Sequence, residues 1–537
     1  MSLVNEAVRE DAPARRAPEP ARETGAHGNR ERLVVFAMAA LVLIVAILTI
    51  TPWPVGAFQD DAIYTVLAKS IATGQGFRMI NLPGAPNATH YPPAYPLVLA
   101  ALWKLWPQFP QNVTLFKFAN AFFLAAAAVG TYRLVRTRFA APVAASVAAA
   151  LAGTLSIVIL LITGVVLSEP LFMAILLPTL IVSERAVDDG KPSTALAAGL
   201  LIGLLAMVRT LGVFVLPAAG FLLLLRGRWR SIFALGLGAA PLLVPWQLWV
   251  AAHQGEIAHP LVGKYGSYGA WLVEGYRAGG GPFAREVLQK NLMELDRTFA
   301  YLFMPVTARL PRLICAFTLL ALLAFGTRGY WRRAPVTLVF LAGYMLVVML
   351  WPFEPSRFVL AIWPLWFPLL ACGVVACWRL ALPRPALLPW RTLVGAVAVA
   401  LVAGFGWYNA RGYANRWWVT IQQNTGERAR PTIEWVARYT QPDDVLSTED
   451  DILVYLYTER RAVPTSTFTA LERVRPLTDA EDLAYVRAIF DAYDPRYYLV
   501  GSPQGARTAA ALARTSPPVL KALGSTRSVL IYERIAR

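Results

Sequence analysis

The sequence predicts a polytopic α-helical membrane protein of about eleven transmembrane helices, with an external α/β domain at the C-terminus. Three observations predict this. The 537-residue chain is 57% hydrophobic and only 15% charged, whereas about a quarter of an ordinary soluble domain is charged. Its Lys and Arg residues fall in short bursts between long apolar runs. Near residue 409 that pattern gives way to the alternation of a soluble domain.

The elements follow in order. Residues 1–31 are rich in Ala, Pro, Arg and Glu without apolar periodicity and read as a disordered cytoplasmic tail. Residues 32–410 read as the transmembrane domain. Its first run, from Leu33 to Thr51, is too long for a typical signal core and reads as an uncleaved span. `VGA` at Val55–Ala57 imitates a cleavage site, and cleavage there would leave the sidedness of the rest unchanged.

Lys and Arg mark the cytoplasmic side of short loops. The bursts lie near Arg30–Arg32, at 133–138 (`RLVRTR`), 183–191, 226–230, 328–333 and 378–391. Placing all of them in the cytoplasm gives spans near 33–51, 114–135, 141–163, 170–183, 194–209, 211–225, 231–250, 310–326, 334–351, 357–377 and 392–409. The N-terminus is then cytoplasmic and the C-terminus external. The stretch `AYPLVLAALWKLWP`, 94–107, is short, Trp-rich and interrupted by Lys104, and reads as a surface helix. Two external loops result, 52–113 and 251–309.

Residues 411–537 mix helix-period pieces such as `RPTIEWVARYT` and `AEDLAYVRAIFDAY` with strand-like `PRYYLVGS` and `RSVLIYERI`. They read as a small external α/β domain. The formal net charge of +17 lies in the loop bursts, which is a topology signal and not a footprint for nucleic acid. Cys315, Cys372 and Cys377 all lie in apolar runs and read as packing residues.

With this topology Asp60, Asp61, His90, Glu169, His253, His259 and Glu354 all lie outside or at outer span ends. The helical spacing of Ile63, Val66, Leu67 and Ile71 puts Asp60 and Asp61 at the start of an amphipathic helix along the membrane. A carboxylate there is favoured by the free N–H groups. Capping needs only one, however, so a pair points to chemistry. `YPP` at 91–93 stiffens a loop that could wall the acidic pair.

`QDDAIYTVLAKSIATGQGF` followed by `HYPPAYPLVLA` resembles the first external loop of GT-C glycosyltransferases, in the branch of protein O-mannosyltransferases and lipid A aminoarabinose transferases. The resemblance covers the layout of most of the first 410 residues and is motif-specific within 58–100. It implies an inverting transferase of the bacterial inner membrane that moves a sugar from a polyprenyl-phosphate carrier to an acceptor hydroxyl on the periplasmic face. The acceptor would be a lipid, a glycan or a protein.

By that resemblance Asp60 is the general base, and Asp61 orients it, binds the acceptor or helps hold a metal. Glu169 matches a second acidic residue of the family, although Ser168-Glu169-Pro170 would equally begin a helix. Arg209 and Arg357 are the expected contacts for the carrier phosphate, although Glu354 could simply pair with Arg357. Tyr64, His90, Tyr91, Lys264, Tyr265 and Glu354 are expected around the acceptor pocket, with `GKYGSYGAW`, 263–271, as a flap.

A divalent metal is the one cofactor the resemblance leaves open, on Asp61, His90, His253 and His259. The aminoarabinose branch has Glu before Lys-Pro-Pro where this chain has His90-Tyr91. Against the enzyme stands a transporter or flippase for a lipid-linked saccharide, which would be expected to show repeat symmetry and midplane charges.

Overall fold

The computed structural model describes residues 25–53, 55–303, 308–380 and 388–535. The expected tail therefore lies almost wholly outside the described residues, as does part of the 378–391 burst.

The chain is a polytopic helical membrane protein with a small sheet near its C-terminus. Seven described helices are long and apolar enough to cross a bilayer, and the bent pair Val143–Thr154 and Ile157–Thr163 makes an eighth candidate. Three further expected spans fall on the shorter apolar helices Pro192–Val208, Thr210–Leu225 and Pro335–Leu350. At about 1.5 Å per residue, none of these reaches the roughly 30 Å of a hydrocarbon core. They are carried by their neighbours. Pro192–Val208 crosses Trp229–His253 so closely that a Cβ on Gly199 would lie 2.0 Å from the Leu235 carbonyl oxygen, and one on Gly238 would lie 2.2 Å from that of Leu196. Such small-residue contacts let backbones approach where lipid gives no hydrophobic drive for association.

The first expected loop holds helices Asp60–Ala72 and Ala94–Leu105. Most of the Asp60–Ala72 helix is buried, because Ala94–Leu105 and the helix Asp451–Thr458 pack on it. It is thus an element enclosed by protein over most of its surface. The second expected loop is mostly helical. It contains Val262–Tyr265 and the long Tyr268–Phe303, which kinks at Gly280, where φ is 59°.

Helix Trp417–Tyr439 leads into a five-stranded sheet of order β2-β1-β3-β5-β4. The strands are β1 (Leu446–Thr448), β2 (Ala462–Val463), β3 (Tyr497–Val500), β4 (Leu520–Ser525) and β5 (Leu530–Arg534). β2 and β3 flank β1 in parallel, and β5 is antiparallel to β3 and β4. Alternation along β3 sends Tyr497 and Leu499 to one core and Tyr498 and Val500 to the other. Helix Pro503–Ala513 and strand β4 were not expected from the sequence. The pieces that were expected all form, including `AEDLAYVRAIFDAY` as Asp479–Tyr493.

Candidate active site

A cavity of about 580 Å³ lies between the helical bundle and the C-terminal sheet region. One part of its wall comes from Asp60, Tyr64 and Tyr91, another from Arg209, Leu211 and Phe214, and a third from Trp351, Arg357 and Phe358. The C-terminal region closes it with Glu449 and the stretch 464–468.

Asp60 and Asp61 diverge because of the residue before them. Gln59 has φ 64° and ψ −49°, a backbone conformation costly for a residue with a Cβ and often stored at functional sites. The turn folds Asp61 back on the chain that precedes it. Asp61 Oδ2 accepts the N–H groups of Gly56 (2.7 Å) and Ala57 (3.1 Å), and Oδ1 that of Phe58 (3.2 Å). Its side chain is fully buried. Burial pushes its carboxyl above the ordinary value despite these donors.

Asp60, one position before it and about 100° round the helix, faces the cavity. Tyr91 donates its hydroxyl to Asp60 Oδ1 at 2.6 Å, and Arg357 Nη2 lies 2.7 Å from Oδ2. Burial works against ionisation here. The charge of Arg357 and the hydrogen bonds from Tyr91 and Arg357 outweigh it, so the carboxyl is held below the usual range.

Arg357 opens the short helix Ser356–Ala361. Its Nε also donates to Glu169 Oε1 at 3.1 Å, and its guanidinium stacks over Phe58 at 5.5 Å. Arg209 stands where helix Pro192–Val208 breaks into a 3-10 turn. Its Nη1 is 2.9 Å from the same Glu169 oxygen and donates to Ser168 Oγ at 3.2 Å. Ser168 Oγ in turn lies 3.1 Å from the Tyr64 hydroxyl. Two carboxylates and two guanidiniums thus balance in one partly buried network, the condition under which such charges tolerate burial.

Glu169 starts its helix with Pro170 in the first turn, as the sequence suggested. Ser168, however, makes no side-chain cap and serves the arginine network instead. Glu354 is exposed and away from the cavity, because Arg357 turns to Asp60 and Glu169. Lys264 reaches the cavity wall while its Nζ pairs with Asp451 at 2.7 Å. Tyr265 is off the cavity, buried between Asp451 and Asn81.

The four expected metal ligands do not converge. His90 packs against Tyr268, the ring centres 3.9 Å apart and the planes tilted by 44°, and contacts the Gly266 carbonyl, and burial lowers its pKa to about 4. His253 bonds to the Trp249 carbonyl (2.9 Å) and His259 to Glu274 (3.0 Å). Asp61 is taken up by backbone amides. Among the described residues no three His, Cys, Asp or Glu groups gather as a ligand set. The donor set of the described residues therefore does not fit a divalent ion.

The sequence reading missed the 464–468 wall, Gln59 and the buried Lys117. Lys117 carried a signal, since it is an ionisable residue inside an apolar run.

No protein-family model and no curated protein matches this sequence. Solved structures do. ArnT from Cupriavidus metallidurans bound to undecaprenyl phosphate aligns with TM-score 0.56 and 14% identity, over 94% of this chain and 98% of that one. The apo state of the same protein aligns with TM-score 0.52 and 14% identity, over 96% and 99%. The likeness establishes that this chain has the fold of those structures.

Proposed function

We propose that this protein is an inverting glycosyltransferase that moves a sugar from a polyprenyl-phosphate carrier to an acceptor hydroxyl. The reaction takes place on the periplasmic face of a bacterial inner membrane, with the N-terminus cytoplasmic and the C-terminal domain external. The observation that carries the reading is the Asp60–Arg357–Glu169–Arg209 network at the edge of an aromatic-lined cavity. The similarity to ArnT bound to undecaprenyl phosphate supports it further.

The parts suit that chemistry. A hydroxyl needs a base placed to take its proton as attack proceeds, and Asp60 is ionised and faces the cavity. The acceptor oxygen bonds to the anomeric carbon, the bond from that carbon to the phosphate oxygen breaks, and the proton passes to Asp60. The carrier leaves as polyprenyl phosphate. Its growing negative charge meets Arg209 and Arg357, donors already fixed in place. An incoming phosphate competes with Asp60 and Glu169 for those guanidiniums, which frees Asp60 Oδ2 for the acceptor. Tyr64, Tyr91, Tyr268, Trp271 and Trp351 offer faces for a sugar ring. Leu211, Phe214 and Val347 give the apolar side by which an isoprenoid chain reaches the arginines.

The test supplies membranes holding wild type or Asp60→Asn with radiolabelled polyprenyl-phosphate sugars. Donor consumed by wild type and not by a folded Asp60→Asn supports the reading. Equal transfer by both removes Asp60 as the base. Labelled lipid crossing the bilayer without donor consumption replaces the enzyme with a transporter.

A further inference from the structure

We propose that Lys117 is a positioning residue, whose buried ammonium and the Asp61 carboxylate together clamp the chain just before Asp60. The inference rests on the reading of Asp60 as the base. The clamp itself is visible without it.

Lys117 sits near the start of the spanning helix Val113–Arg138 and is only 1% exposed. Its Nζ donates to the Thr51 carbonyl at 2.9 Å, the Trp53 carbonyl at 2.8 Å and Gln422 Oε1 at 2.8 Å. Among the described residues no carboxylate lies within ion-pair distance of it. A buried ammonium held by neutral oxygens alone carries a desolvation cost that a Leu or Met would avoid. What it gains here is convergence: one cation gathers carbonyls that would otherwise face one another.

The other end of the same segment is held by the opposite charge. The amides of Gly56, Ala57 and Phe58 point at Asp61. Carbonyls are thus fixed by a cation and amides by an anion, in the segment that leads into the turn at the strained Gln59. Asp60 is the next residue. Its place in the cavity follows from where that turn is pinned.

The seat also reaches into the C-terminal half. Gln422 lies on helix Trp417–Tyr439, and its Oε1 accepts from Thr51 Oγ1 at 2.7 Å as well as from Lys117. Gly56 packs so tightly under the helix Asp451–Thr458 that a Cβ there would meet Leu453 at 2.7 Å. Three parts of the chain, far apart in sequence, therefore set one loop.

The experiment uses full-length Lys117→Met in lipid nanodiscs, with two readouts. Amide hydrogen exchange at Gly56–Phe58 is expected to speed up at least about tenfold, while helix Trp229–His253 keeps wild-type protection. Transfer from a polyprenyl-phosphate sugar is expected to lose about 10- to 100-fold in kcat, with KM for that donor within about threefold. Gln422→Leu removes one of the three strong acceptors. It is expected to give the same pattern more weakly and serves if Lys117→Met does not fold. Unchanged exchange at Gly56–Phe58 overturns the clamp. Faster exchange with unchanged kcat overturns the hold on Asp60. A wild type that consumes no donor defeats the functional reading, while the exchange data still decide the clamp.

Discussion

Helix Glu169–Asp189 carries a fully buried glutamate near each end, and the two do different work. Glu169 touches two arginines that line a cavity. Glu184 accepts the backbone N–H and the hydroxyl of Thr337, both at 2.8 Å, where helix Pro335–Leu350 begins, and Arg138 stands farther off at 3.6 Å. The first holds cationic groups that line a cavity, where a ligand can claim them. The second satisfies helix-end donors that no ligand can reach. A buried carboxylate alone does not mark a site; the nature of its partners does.

That contrast can be tested by substitution. The largest effect is expected at the base: Asp60→Asn should lose about 10²- to 10⁴-fold in kcat while eluting as a folded protein. Arg357→Ala should come next, with a loss of about 10²- to 10³-fold in transfer, because it removes a fixed donor from the leaving phosphate. A single-turnover assay separates this from weakened donor binding. The direct comparison is Glu169→Gln against Glu184→Gln. The first should lower transfer at least about tenfold. The second should leave kcat unchanged and cost about 1–3 kcal/mol of stability, read from thermal unfolding in detergent. If Glu184→Gln lost transfer and Glu169→Gln did not, the distinction between the two ends would fail.

The smallest effect concerns pH. His90 has its pKa lowered from 6.5 to about 4 in the folded chain. The unfolded chain therefore takes up that proton first. Its contribution to stability is whole above pH 6.5 and is lost progressively as pH falls toward about 4. Asp60, with a lowered carboxyl pKa, contributes its own loss only at more acidic pH. The difference between wild type and His90→Phe should change across the His90 window and be flat above it. A flat difference throughout would mean that His90 is protonated or solvated in the native protein.

Much of this was legible in the sequence. The apolar runs marked helices, the acidic pair marked the start of Asp60–Ala72, and Arg209 stood out as an ion in an apolar run. Pattern could not say that Asp60–Ala72 would be covered on most sides, since its coverings come from 94–105 and 451–458. Nor could it show which neighbour carries the short Pro192–Val208, through the close backbone approach at Gly199 and Gly238.

The sequence by itself determined the membrane class, the order of the apolar helices, and the arrival of acids and arginines at one end of the spans. These follow from local periodicity and charge, which each segment carries within itself. Tertiary structure alone decided that Asp60 and not Asp61 meets the cavity, through the backbone reversal at Gln59. It also decided that Arg357 pairs with Glu169, 188 residues away, and not with Glu354 three positions before it. Such pairings depend on where packed helices bring their ends together in space, and no spacing along the chain encodes that.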